Sequence, residues 1–140
     1  TQTRNSFRSI RLDFLKQIFQ NKDIDFFVLQ KISNKKDHEI IKKTSNLHDL
    51  SDFLNDFNDT ASLLSKMDLT ISVCTSLVHL SALLDKKTLL LLSKIHDPRW
   101  NEFNNRVLYK CVKKFKQIEL NNWQHPLKEL NQFLAKELIL

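Results

Sequence analysis

The sequence predicts one α/β domain in which a mostly parallel β-sheet lies between two layers of helices. Three observations support this fold class. Strand-like and helix-like segments alternate with short connections, which is typical of parallel sheets covered by helices. The run over residues 88–92 is apolar almost throughout, as expected for a strand buried on both faces. A chain of 140 residues is long enough to bury one core. Together they indicate a Rossmann-like, three-layer α/β/α domain.

In the N-terminal half of the sequence, most of the predicted helices and strands follow from the spacing of apolar residues. Leu12, Leu15 and Phe19 recur at intervals of three and four residues, which indicates an amphipathic helix. Asn58-Asp59 is typical of a helix end followed by a new N-cap. The predicted elements are, in order, a helix over residues 12–20, a strand over 25–30, a short strand at 40–41, a helix over 50–57 and a helix over 60–66.

In the C-terminal half, the sequence patterns that predict strands and helices are clearer. Residues 94–105 lack periodicity and contain Pro98, so they are predicted to form a loop with one helical turn. Asn122 is expected to cap the final helix, whose first turn tolerates Pro126. The remaining predicted elements are a strand over residues 69–73, a helix over 75–84, strands over 88–92 and 113–118, and a final helix with Leu127, Leu130, Leu134 and Leu138 on one face.

Composition excludes several classes of site. Glycine is absent, so neither a P-loop nor a GxGxxG fingerprint exists, and a phosphate site would have to use a helix N-terminus. Turns must rely on Asn, Asp and Ser instead. Two cysteines make no disulfide framework, and no histidine has metal-ligand spacing. No apolar run approaches the ~20 residues that span a bilayer. We therefore expect a cytoplasmic protein without a metal ion or other cofactor.

The net charge of +6 raises the question of an anionic partner. Lysines occur in pairs that alternate with acidic residues, and no nucleic-acid-binding signature accompanies them. A solvated, lysine-rich surface is the favoured interpretation, and nucleic-acid binding is a distant alternative.

The junction over residues 73–79 is the strongest candidate site. A strand ends at Cys74, and Thr75 and Ser76 open the next helix, where unpaired amides and the helix dipole favour an anion. His79 follows at the spacing that places it on the face of those two residues. Spacing alone also fits ordinary helix capping and a structural histidine. Cys74 is open to two interpretations, a nucleophile with a lowered pKa or an inert buried thiol.

Residues 67–84 resemble a strand followed by Asp-Thr-Ser/Gly-x-x-His-Leu-Ala, the hallmark of the heptosyltransferase-like glycosyltransferases, especially those fused to tetratricopeptide repeats. Further segments fit that family's pattern in the same order, namely Arg8-Ser9-Ile10 with Leu12, Leu29-Gln30-Lys31, Asp56-Phe57-Asn58-Asp59-Thr60-Ala61, Asp97-Pro98-Arg99-Trp100, and Trp123. The resemblance implies that residues 1–140 form the C-terminal, donor-binding lobe of a GT-B glycosyltransferase, as part of a longer protein. The expected partners are a sugar nucleotide and an N-terminal lobe or tetratricopeptide repeats.

The resemblance also implies roles for individual residues. Thr75, Ser76 and the helix amides would hold the donor diphosphate, with His79 beside them. Arg8 would add a cation, and Ser9 belongs to the same segment. The remaining implied donor-binding residues are Cys74 in the same turn as Thr75, Gln30 and Lys31 near the nucleoside, and Asp97, Arg99 and Trp100 near the sugar. The catalytic base would come from the other lobe, so its identity is unknown.

The sequence departs from the family's pattern at four positions, which leaves activity open. Cys74 replaces the usual Asp, Asp85 and Ile32 replace glycines, and Lys87 replaces a proline. A catalytically degenerate lobe that acts as a protein-interaction module is therefore the second hypothesis.

Overall fold

The computed structural model describes residues 7–31, 34–102 and 107–137. The chain divides into two compact units, which are described separately. The N-terminal unit comprises Arg11–Leu63, and the C-terminal unit comprises residues 7–10 together with residues from Leu64 onward. Every paired strand is parallel to its neighbour, and helices alternate with strands. The predicted α/β class is confirmed.

The N-terminal unit contains a two-stranded parallel sheet. β1 (Phe26–Val28) pairs with β2 (Leu47–Asp49), and α1 (Lys35–Lys43) connects them. Asn34 caps α1 by accepting a hydrogen bond from the Asp37 amide at 2.8 Å. The buried apolar side chains of this unit are Ile18, Phe19, Ile40, Ile41, Leu47 and Leu54. α2 (Phe57–Lys66) then leads into the C-terminal unit.

Three predictions for the N-terminal unit are wrong or incomplete. Ile40-Ile41 is not a strand but the buried face of α1, whose capping and amphipathic pattern outweigh the β-propensity of isoleucine. The helix predicted over residues 12–20 is two 3-10 turns, Leu12–Leu15 and Ile18–Gln20, since a segment this short depends on packing for its helicity. Of the helix predicted over 50–57, only a 3-10 turn at Ser51–Phe53 forms before α2 begins. β2 was not predicted, because three residues with two polar side chains give no periodic signal.

The C-terminal unit contains a three-stranded parallel sheet in the order β3-β4-β5, with β3 at Thr70–Val73, β4 at Thr88–Leu92 and β5 at Val112–Lys116. α3 (Ser76–Leu83) connects β3 to β4, and α4 (Gln124–Glu137) follows β5. All five residues of the central strand β4 are buried, as its apolar run predicts. The predicted strands and helices of this half are confirmed with boundaries shifted by one to two residues, and Leu138 lies outside the described residues.

The two faces of this sheet are covered by different helices. On one face, Leu90 and Leu92 of β4 pack with Val78 of α3 and with Trp100, which lies in the 3-10 turn Pro98–Trp100. Because side chains alternate along a strand, Phe115 points to the other face, where its ring contacts Phe133 of α4 at 5.8 Å. The C-terminal unit therefore has three layers, helix, sheet and helix.

Left-handed backbone occurs without glycine. Asp85 has φ of 52° and Asn121 has φ of 61°, and they lie within the connections that precede β4 and α4, respectively. Asp and Asn tolerate this region better than other residues with a side chain. Their use agrees with the prediction that turns in this chain rely on Asn and Asp, and Asp85 stands where the resembled family has glycine.

Candidate functional site

The carboxyl end of β3 meets the N-terminus of α3, as the sequence predicts. β3 ends at Val73, and Thr75 is the extended residue that precedes the helix, with φ −136° and ψ 176°. The Thr75 side chain does not cap α3; its Oγ1 lies 3.3 Å from Ser72 Oγ. First-turn amides have no partner within a helix, so those of Ser76 and Leu77 provide donors for an outside acceptor. Ser76 is exposed at the same point.

Arg8 lies against this junction although it is 66 residues away in sequence. Its Nη1 donates to the Cys74 carbonyl oxygen at 3.4 Å. The contact holds a guanidinium one residue from the start of α3. A cation and a helix N-terminus therefore lie side by side, and both favour a bound anion. Ser9 is exposed beside Arg8.

The Cys74 thiol is partly buried against the core of the C-terminal unit. Trp100 Nε1 donates to Cys74 Sγ at 3.1 Å, and Cys74 packs against the cluster of Val78, Leu90, Leu92 and Trp100. Cys74 and Cys111 are both free thiols. These contacts favour the inert interpretation of Cys74.

His79 belongs to an aromatic cluster at the base of the junction. Its ring stacks on Trp100 with centroids 5.3 Å apart, and Nδ1 lies 3.1 Å from the Tyr109 hydroxyl. The Tyr109 ring completes the cluster, 5.7 Å from His79 and 6.2 Å from Trp100. His79 therefore connects the first turn of α3 to Trp100 and Tyr109. Tyr109 was not predicted, because a single tyrosine thirty positions from its partner gives no sequence signal.

Trp100 has a packing role in this arrangement. Only 3% of its surface is exposed, and its carbonyl oxygen accepts a hydrogen bond from Lys114 Nζ at 3.1 Å. A sugar cannot stack on a ring that its neighbours already cover. The role near the donor sugar that the resemblance implies therefore has no exposed Trp100 surface to support it.

Asp97 and Arg99 form a closed pair in the loop after β4. Asp97 Oδ1 accepts from the Arg99 amide at 2.9 Å and from Nε at 3.1 Å, and Oδ2 accepts from Nη2 at 2.8 Å. The hydrogen bonds from Arg99 lower the pKa of Asp97 to about 2. The Arg99 side chain is 66% exposed, so this pair is accessible, but its charges are satisfied by each other.

The Asp97 pKa is directly testable. The depressed value means that the ionised pair favours the folded state above pH 3.8 and loses this contribution as pH falls through about 2. Arg99→Gln is expected to return the Asp97 pKa toward 3.8, measured by NMR titration of the side-chain carboxyl. Lys110→Gln, which removes an exposed charge that is not among the causes of the Asp97 shift, is the control. An Asp97 pKa that Arg99→Gln leaves unchanged would contradict the pairing.

Gln117, directly after β5, is a buried polar residue that the sequence did not single out. It is 2% exposed, and its Oε1 accepts from the Lys94 amide at 3.2 Å and from Ser93 Oγ at 3.4 Å. Its Nε2 is buried without a hydrogen-bond partner. Gln117 therefore ties together the chain segments that leave β4 and β5, at the carboxyl edge where ligands of parallel sheets bind.

The other predicted site residues lie elsewhere in the chain. Gln30 and Lys31 follow β1 in the N-terminal unit and are exposed. Their implied contact with a nucleoside stays a prediction.

Within residues 7–31, 34–102 and 107–137, no group of three or more His, Cys, Asp and Glu side chains is arranged to hold a metal ion. Over the same ranges, no helix combines the length and apolar character needed to cross a membrane. The expected independence from metals and cofactors stays a prediction.

Comparison with known proteins gives no match: no protein-family model fits the sequence, and no curated protein or solved structure is significantly similar to it. The family resemblance therefore rests on the motifs themselves. The function has to be argued from the junction.

Proposed function

We propose that the C-terminal unit binds the diphosphate of a nucleotide sugar at the β3–α3 junction, as the donor-binding lobe of a glycosyltransferase. The observation that carries this proposal is the contact of Arg8 with the Cys74 carbonyl, which places a cation beside the open N-terminus of α3. The site also has the position expected for ligands of parallel sheets, beyond the carboxyl ends of the strands.

The chemistry of the junction suits a diphosphate. Amides at the start of α3 and the hydroxyls of Thr75 and Ser76 are hydrogen-bond donors, and the Arg8 guanidinium adds charge-assisted bonds. When a sugar leaves a nucleoside diphosphate, negative charge grows on the diphosphate. Donors already fixed in place stabilise that charge more than they stabilise the bound substrate, which is how such a site would promote transfer. The group that activates the acceptor would come from the second lobe implied by the resemblance.

A set of binding measurements tests the proposal. Isothermal titration calorimetry with ADP, GDP, UDP and their common sugar conjugates should give a Kd in or below the millimolar range for one member, since charge-assisted contacts of this kind contribute a few kcal/mol. Arg8→Gln should weaken that binding about tenfold or more, because one charged partner of the diphosphate is lost. Thr75→Ala should weaken it less, because a neutral hydroxyl contributes less.

Lys110→Gln is the matched control, because it removes one exposed positive charge from the same unit at a residue that is not among those proposed to hold the diphosphate. It should change Kd by less than about twofold, as expected for a screened surface charge. Absence of binding at millimolar ligand, or equal weakening by the Arg8 and Lys110 variants, would overturn the proposal.

A second candidate is a protein-interaction module derived from such a lobe. Ile95 and Ile118 follow β4 and β5 at the same edge of the sheet and are 63% and 59% exposed. Exposed apolar side chains beside a satisfied Asp97–Arg99 pair fit a docking surface better than a sugar pocket. In the full-length protein, Ile95→Asp with Ile118→Asp should then abolish the cellular role, while Arg8→Gln with Thr75→Ala leaves it intact. The transferase proposal predicts loss with the second pair.

A further inference from the structure

The N-terminal unit contains a concave surface that the donor-site proposal does not use. A pocket of about 440 Å³ lies between the 3-10 turns at the start of the unit and α1. Its volume falls within the roughly 300–1,000 Å³ of small-molecule sites. Phe19 and Ile40 form an apolar part of its lining, and each is only 7% exposed.

Positive charge dominates the rim of this pocket. Four lysines line it against a single acidic residue, Glu39; the lysines are Lys16, Lys22, Lys36 and Lys43. They come from separate segments of the unit, and Lys36 and Lys43 are seven residues apart, so they share one face of α1. The folded chain therefore collects four ammonium groups that lie up to 27 positions apart in sequence.

Two of the four ammonium groups are anchored. Lys22 Nζ donates to Asn46 Oδ1 at 3.0 Å and to the Phe19 carbonyl oxygen at 3.4 Å. The buried Asn46 amide is itself fixed by bonds to the Asn21 and Ile24 carbonyl oxygens, at 2.9 and 2.8 Å. Lys36 Nζ pairs with Asp13 at 3.0 Å. An anchored cation loses less conformational entropy when it binds a ligand.

Lys16 and Lys43 form no ion pair with any residue in the described part of the chain. Their charges are therefore available to a partner from outside. The lining contains lysine and no arginine among its residues. Lysine acts on phosphate as a point charge, whereas flat carboxylates are recognised more often by the forked guanidinium of arginine.

We infer that this lysine pocket is a second anion site, which binds a soluble small molecule carrying two or more phosphate groups. The ammonium groups around the rim contact separate phosphates, and the apolar lining at Phe19 and Ile40 accommodates the rest of the molecule. This site is independent of the β3–α3 junction, because all of its residues belong to the N-terminal unit.

Calorimetry with inorganic pyrophosphate at low ionic strength tests the inference. The full chain carrying Arg8→Gln with Thr75→Ala is used as the background, so that binding at the β3–α3 junction is weakened and the binding that remains there is the same in all the variants compared. In this background, pyrophosphate should bind with a Kd below about 1 mM. Adding Lys16→Gln with Lys43→Gln should weaken binding at least about tenfold, because both available cations are removed.

Lys35→Gln with Lys42→Gln is the matched control. It removes the same charge, and Lys42 lies in the same last turn of α1 as Lys43, but neither residue lines the pocket. This pair should change Kd by no more than about twofold. Equal weakening by the two pairs of substitutions, or no pyrophosphate binding in the background protein, would overturn the inference that the lysine pocket binds phosphate groups. Neither result would bear on the proposed diphosphate site at the β3–α3 junction.

Discussion

Trp100→Ala is expected to lower the free energy of unfolding by about 3–5 kcal/mol, the usual range for truncation of a buried tryptophan. Trp100 fills the space between α3 and the sheet, where it packs with Val78 and Leu90. Its loss also leaves the Cys74 thiol without its indole donor and His79 without its stacked partner. The variant would therefore disturb both the core and the support of the β3–α3 junction.

Urea unfolding of this variant, followed by far-UV circular dichroism and by the fluorescence of Trp123, measures the effect. Trp123 lies in the C-terminal unit, so its signal reports on the affected part of the chain. Trp100→Phe is the matched variant, since it keeps an aromatic ring but removes the indole donor, and it should cost about 1–3 kcal/mol. An alanine variant within about 1 kcal/mol of the parent would show that Trp100 is not a core residue.

Leu90→Ala is expected to lower the free energy of unfolding by about 2–5 kcal/mol. Leu90 is fully buried in the central strand β4, where neighbouring elements on either side prevent the site from collapsing around a smaller side chain. The cavity that remains destabilises the folded state further, beyond the lost transfer free energy of the removed atoms. The midpoint of urea unfolding should fall while the slope of the transition stays constant.

The control for Leu90 is the same substitution at an exposed leucine. Leu83, in the last turn of α3, is 74% exposed, so Leu83→Ala should change the free energy of unfolding by less than about 0.5 kcal/mol. Similar losses at the two positions would contradict the burial pattern of the C-terminal unit.

The C-terminal unit was more predictable from sequence than the N-terminal unit for a physical reason. β4 is an almost continuous apolar run, and the apolar strand β3 is followed within two residues by α3, so the apolar pattern and the alternation of strand and helix point to the same structure. In the N-terminal unit, short elements depend on tertiary packing. Ile40-Ile41 has β-propensity, but the cap at Asn34 and the buried face of α1 decide its conformation.

The candidate site was predictable in position but not in its supporting contacts. The order of strand, Thr75 and α3 follows from local sequence. The contact of Arg8 with Cys74, and the cluster of His79 with Tyr109, join segments that are 66 and 30 positions apart. No local pattern encodes such contacts. They arise because the sheet and α3 bring the connecting loops together.

The position of the donor diphosphate is the central claim, and amide NMR chemical shifts test it most directly. Titration of the ¹⁵N-labelled protein with the nucleoside diphosphate that binds best should move the amide signals of Thr75, Ser76 and Leu77, together with the Arg8 side-chain signal. Arg8→Gln should reduce these shifts at equal ligand concentration, while Lys110→Gln leaves them unchanged. Saturable shifts that cluster away from the start of α3, or no shifts at millimolar ligand, would contradict a diphosphate site at the β3–α3 junction.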